Sequence, residues 1–300
     1  MAAAVAAKPK ESCPYNSVRV QGFHHVKPLI YSEPLCEAER FENLRGALTS
    51  LITALRTSGH LGSASVYVRD FEKSEWTWYN GSEEYDPGSL LKVALLITWL
   101  SMAEEDPTVL QRTYTCEAFD FNVAQYAAFP SKKIQLNVSY TVKQLLEYSI
   151  AFSDNRATSL LTRNVPASRY IRTYTDLGLP APDMHARAYR MNVRNYSIFM
   201  KALFNSTILG PIYSDMALEL MTRADFNVGL KAGLPADVEL AHKFGEFGTQ
   251  DQRQLHETGL VYAGNHPYLL TVMTRGTDMD SLASAIASVS RLVYEHMREP

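Results

Sequence analysis

The sequence predicts an α/β chain of the α+β type. An antiparallel sheet is built from both chain ends and flanked by helices, with an all-helical subdomain inserted between them. Three observations lead there. Strand-like alternation of apolar and polar residues occurs early, at residues 64–69, and returns only after Gly233-Leu234-Pro235. Between these stretches, residues 107–226 carry helical spacing broken by loops. At the junction, residues 86–100 open with a Pro-Gly turn and then run apolar on every side, the pattern of a buried helix.

Each element has its own signal. Residues 1–35 show no sustained period and hold several prolines, so they read as an arm on the domain surface. From Glu37 on, Phe41, Leu44, Leu48, Leu51, Ile52 and Leu55 recur at helical spacing, and Ser58-Gly59 ends the run. Residues 64–69 and 75–79 read as two strands, closed by an Asn80-Gly81 turn. The apolar helix follows. Thr141-Val142-Lys143-Gln144 is a capping box that starts a helix with Leu145, Leu146 and Ile150 on its apolar face. That helix stops at Ser153-Asp154-Asn155, and helical spacing resumes at Arg156. Residues 176–183 read as a loop, 195–204 and 214–222 as helices. Residues 238–244, 255–262 and 268–275 read as strands, and 281–297 as a closing amphipathic helix. The expected organisation is an arm, 1–35, and one domain, 36–300. Its sheet part is 36–88 and 227–300, and its helical part is 89–226.

Composition narrows the function. The 300 residues are 46% hydrophobic and 20% charged, an ordinary globular balance. The net charge of -3 and the absence of a basic stripe argue against a nucleic-acid partner. No apolar run reaches the length of a membrane span, and Met1 to Lys10 lacks the basic start of an export signal. Cys13, Cys36 and Cys116 are scattered and odd in number, so they are expected to be unpaired. No His-Glu-x-x-His or similar metal pattern occurs, and no cofactor is expected.

Two polar side chains head the apolar helix. Ser89 and Lys92 are three apart, so on a helix they share a face. Two readings are open here. Ser89 caps the helix while Lys92 snorkels to water, or the pair forms a nucleophile and its base. Two further motifs follow in order: Ser153-Asp154-Asn155 in an interhelical loop, and Lys243-Phe244-Gly245 on a strand.

Together with Ser89-Leu90-Leu91-Lys92, these motifs resemble the serine β-lactamase and penicillin-recognising D,D-peptidase superfamily, class A β-lactamase-like proteins in particular. Its signatures are Ser-x-x-Lys, Ser-Asp-Asn and Lys-Thr-Gly. The resemblance runs from about Glu37 through the last strands. It implies that Ser89 attacks a carbonyl and forms an acyl-enzyme, with Lys92 as base. Ser153 relays a proton with Lys92 and Lys243 toward the leaving nitrogen. Asn155 holds the substrate's amide side chain, and Lys243 attracts its carboxylate. The backbone N–H groups of Ser89 and Glu246, just after Gly245, form the oxyanion hole.

Two departures matter. Phe244 stands where the family has a threonine or serine that helps bind a carboxylate. No glutamate occurs between Asn155 and Met216, where class A enzymes carry the one that activates the deacylating water. Asp176 and Asp183 lie in that stretch without a matching motif. The expectation is a β-lactamase-like serine hydrolase acting on β-lactam or D-alanyl-peptide amides, slow to release its acyl group. The alternatives are an esterase or amidase of the same fold, or a degenerate penicillin- or peptidoglycan-binding protein. By resemblance it works outside the cytoplasm, on a small-molecule or peptide substrate.

Overall fold

The computed structural model describes residues 13–117, 128–129, 131–183, 189–249, 252–264 and 266–298. The chain starts as a hairpin, β1 (Tyr15–Arg19) against β2 (Leu29–Pro34). Two features fix the hairpin. Cys13 and Cys36 are disulfide-bonded, with Cα atoms 5.9 Å apart. Glu33 is buried and ion-paired to Lys201 (2.7 Å), Arg194 (2.9 Å) and Arg69 (3.2 Å). The disulfide corrects the expectation of unpaired cysteines. The two thiols lie 23 residues apart and meet only because the hairpin closes on itself, which no local spacing reveals. Cys116 is a free, buried thiol.

Helix α1 (Glu42–Thr57) buries Leu44, Leu48 and Ile52, the expected stripe. β3 (Ser63–Asp70) and β4 (Trp76–Tyr79) follow as predicted. β3 alternates in sequence yet is buried along nearly its whole length, because helices cover both faces of the sheet. A 3-10 turn, Gly88–Leu91, leads into α2 (Lys92–Glu105), which is buried continuously from Lys92 to Leu100.

The helical region opens with a short ribbon, β5 (Thr113–Thr115) with β6 (Ser139–Thr141). α3 (Val142–Ala151) begins at Thr141, whose box with Gln144 forms in full. α4 (Asn155–Asn164) is capped by Asp154. α5 (Ala167–Asp176) is a helix the apolar pattern did not reveal. Its buried inner residues are Thr173 and Tyr174 rather than aliphatics. Asp176 therefore closes a helix instead of opening a loop. α6 (Val193–Phe204) and α7 (Pro211–Thr222) match the expected helices.

β7 (Glu239–Gly248), β8 (Arg253–Ala263) and β9 (His266–Gly276) complete an antiparallel sheet of order β4-β3-β9-β8-β7. The final helix α8 (Met279–Met297) packs with α1 on one face, around Leu48, Val66, Leu270 and Ile286. The helical region covers the other, around α2. Strand β7 is an edge of the sheet and packs against the Gly88–Leu91 turn that leads into α2. Among the described residues, no helix is long and apolar enough to cross a membrane.

Candidate active site

The turn that carries Ser89 is made by glycine. Gly88 has φ +54, a left-handed backbone that disfavours a Cβ. A Cβ there would also lie 2.3 Å from the Glu246 carbonyl oxygen. From the other side, a Cβ on Gly245 would lie 2.4 Å from the Pro87 oxygen and 2.7 Å from the Leu90 nitrogen. Two glycines thus let the Ser89 turn and the Gly245-Glu246 stretch of β7 touch backbone to backbone. The Tyr196 hydroxyl, from α6, holds the same turn by donating to the Leu90 oxygen (2.8 Å).

Ser89 is partly exposed and makes no capping hydrogen bond. Among the described residues its hydroxyl has no hydrogen-bond partner. Lys92 does not snorkel: it is 5% exposed. Its Nζ donates to the Ser153 carbonyl (2.6 Å), to Asn155 Oδ1 (2.8 Å) and to Ser153 Oγ (3.1 Å). Ser153 adopts φ +52. Such a conformation costs a non-glycine residue free energy of order 1 kcal/mol or more and concentrates at functional sites. Burial lowers Lys92 to about 7, opposed by the charges of Asp154 and Glu246.

Asp154 serves structure: it accepts from the backbone N–H of Arg156 (3.0 Å) and of Ile134 (2.8 Å). A buried carboxylate satisfied by two N–H groups fixes the loop that presents Ser153 and Asn155.

On β7, Lys243 is fully buried, at 0% exposure. Its Nζ donates to the Phe244 carbonyl (2.9 Å) and sits 4.3 Å from the centre of the Phe244 ring. Burial first, and the charge of Lys92 second, hold Lys243 well below the usual lysine range. The two lysines therefore repel one another. Phe244 is 5% exposed, stacked on Phe226 with Phe129 at the edge. The Glu246 carboxylate accepts from the Ala128 N–H (3.0 Å), and burial raises its pKa.

A model of the beta-lactamase enzyme family matches residues 46–297. The chain belongs to that family. It is 24% identical over 284 residues to a beta-lactamase of Bacteroides uniformis, covering 87% of this chain and 93% of that protein. Among solved structures, the fold is shared with a point mutant of PBP-A in an acyl-enzyme complex with penicillin G, at TM-score 0.70. The identity is 23%, covering 86% of this chain and 98% of that one. A point mutant of the class A beta-lactamase of the last common ancestor of Gram-negative bacteria superposes at TM-score 0.72. It is 21% identical, covering 84% and 99% of the two chains.

Against the family pattern, the structure brings Lys92, Ser153 and Asn155 into direct contact and sets Gly245 and Glu246 against the Ser89 turn. It does not join Ser89 to Lys92 by a hydrogen bond, nor Lys243 to Ser153. In the stretch without glutamate, Asp176 is paired with Arg172 at 3.1 Å; residues 184–188 lie outside the described residues. Tyr196, Phe226 and Phe129 were not singled out from sequence. Each lies far from the motifs along the chain, and only the fold brings them to the site. His242, beside Lys243, is buried against Glu257 (2.6 Å). Arg275 is paired with Glu83 (2.7 Å). Among the described residues, no cluster of three His, Cys, Asp or Glu side chains is arranged to hold a metal ion.

Proposed function

We propose that this family member is a serine hydrolase that forms an acyl-enzyme at Ser89 on β-lactam or D-alanyl-peptide amides. One observation carries the reading. Lys92 is buried, held near neutral pH, and hydrogen-bonded to Ser153 and Asn155 one helical turn from the Ser89 hydroxyl. A serine needs an adjacent base, and a lysine serves only when neutral. Lys92 takes the Ser89 proton as Oγ bonds to the carbonyl carbon. Ser153 passes a proton to the departing nitrogen, with Lys243 behind it. The N–H groups of Ser89 and Glu246 hold the oxyanion, and the backbone contact made by Gly88 and Gly245 supports that role.

Asn155 orients the substrate amide through the side chain that also accepts from Lys92. Release of the acyl group is slow, because no glutamate stands where the family's water-activating one would be. The catalytic unit is residues 36–300, with the N-terminal segment as an arm tied to it. The protein works outside the cytoplasm, where a Cys13–Cys36 bond persists. Phe244 lends weight to a second reading, an esterase or amidase on other acyl groups, since its side chain brings no hydroxyl to bind a carboxylate.

The test is covalent mass. Incubation with a β-lactam should add the mass of the opened ring to the wild type and nothing to Ser89→Ala. Turnover should be slower than adduct formation. An adduct that persists in Ser89→Ala, or none in either protein, sinks the reading for this substrate class.

A further inference from the structure

The last motif strand carries an unusual set of charges. Where a carboxylate-binding strand would show an accessible cation and a hydroxyl, this one has Lys243 fully buried and Phe244 stacked away. The Lys243 Nζ is committed to the Phe244 carbonyl and ring. Glu246 is the ionisable side chain of this stretch that reaches partial exposure. One of its oxygens takes the Ala128 N–H. The other has no hydrogen-bond partner among the described residues. Glu246 follows Gly245 in the backbone contact with the Ser89 turn, and a Cβ on Gly88 would lie 2.3 Å from its carbonyl oxygen, so it lies beside the reacting groups rather than at the far end of the strand. Asp154, the other acid acting on Lys92, is buried and saturated by backbone N–H groups. Arg253, at the head of β8, is the remaining cation acting on Glu246.

We infer that Glu246 sets the charge preference of the site: acyl donors carrying an ammonium group beside the scissile carbonyl are taken ahead of those carrying a carboxylate. The inference rests on the acyl-enzyme reading. The Glu246 side chain leaves the same residue whose N–H is proposed to hold the oxyanion, so its carboxylate sits within one side-chain length of the reacting carbonyl. A substrate carboxylate placed there meets a like charge, and an ammonium group meets an acceptor with a free oxygen.

Three matched aryl esters test this, differing only in a carboxylate, its primary amide, or an ammonium group next to the carbonyl. In each, the Ser89 Oγ–carbon bond forms, the carbon–oxygen bond to the phenol breaks, and the Ser89 proton leaves by way of Lys92 to the phenolate. Acylation rates are divided by each ester's hydroxide-catalysed rate to remove intrinsic reactivity. The wild type should favour ammonium over carboxylate by about tenfold or more, with the amide between. Glu246→Gln should bring the pair to within about threefold of each other, while Glu239→Gln, at the exposed start of β7, should not. The wild-type preference should also shrink with added salt, a readout that needs no variant to fold. A preference for the carboxylate ester, lost in Arg253→Ala, overturns the inference, as does a ratio unmoved by Glu246→Gln and by salt. Failure of all three esters to acylate Ser89 overturns the acyl-enzyme reading, and the inference falls with it. The wrong order of charges overturns the inference alone.

Discussion

Replacing Gly245 by alanine inserts one methyl group where strand and turn are in backbone contact. The new Cβ would stand 2.4 Å from the Pro87 oxygen and 2.7 Å from the Leu90 nitrogen, both backbone atoms that no side-chain rotation can clear. Even the tight end of ordinary Cβ contact, 3.0–3.4 Å, requires the two backbones to part by about 0.6 to 1 Å. Two costs follow. Overpacking of this kind destabilises by roughly 1–3 kcal/mol. The separation also moves the Glu246 N–H away from the Ser89 turn, and a misplacement near 1 Å at a reacting centre costs on the order of a hundredfold in rate. Rapid-mixing acylation with a β-lactam, followed by intact mass, gives the rate constant, and a melting curve gives the stability. Gly245→Ala is expected to fold with a lower Tm and to acylate about a hundredfold more slowly. Gly88→Ala, whose Cβ meets the Glu246 oxygen from the other side, should lose activity by a similar factor. Acylation within about threefold of wild type in both variants would refute the argument that this contact positions the oxyanion donors.

Other consequences follow from the same contacts. Because Lys92 is lowered to about 7 and acts in its neutral form, the acylation rate should rise with pH through about 7 and level off above it, falling about tenfold per unit below; a flat profile from pH 5 to 9 contradicts the role of Lys92. Cys13→Ser with Cys36→Ser opens a loop of 23 residues and should cost about 3 kcal/mol by loop-closure entropy, read as a lower denaturant midpoint without reductant. Glu33→Gln leaves Lys201, Arg69 and Arg194 without their shared counter-charge and should cost about 3–5 kcal/mol, a larger loss than Glu219→Gln, whose ion pair with Arg223 is exposed.

The parts legible in the sequence were those fixed by neighbours along the chain. The Thr141–Gln144 box is a local reciprocal bond, and it forms as written. The apolar run after Ser89 is buried because it is apolar all round. What escaped is what only tertiary contact decides. α5 turns a tyrosine toward the core, not a row of aliphatics, and Tyr174 pairs its hydroxyl with Tyr170, so no apolar stripe marks the helix. The Cys13–Cys36 bond depends on a hairpin whose strands show no apolar–polar alternation in sequence. Lys243 on an edge strand suggests exposure, yet Phe226 stacks on its neighbour Phe244 and the lysine ends fully buried. The order of the motifs announced a site; the charge state of each group in it follows from burial.

That distinction bears on how the acyl group leaves. Under the proposed mechanism, acylation needs neutral Lys92 once, to accept the Ser89 proton. That proton then goes by way of Ser153 to the leaving group, and Lys92 is neutral again. Of the acids that act on it, Asp154 has both oxygens taken by backbone N–H groups, which leaves Glu246 and Lys92 itself as the bases within reach of a water. If Lys92 activates the water, acylation and deacylation share one ionisation. Both rate constants should rise through the same pH of about 7. A dedicated glutamate base would instead give deacylation its own limb at lower pH, where Lys92 is already protonated. Measuring the two limbs separately, by burst and by steady state, distinguishes a site that reuses its lysine from one that has a second base.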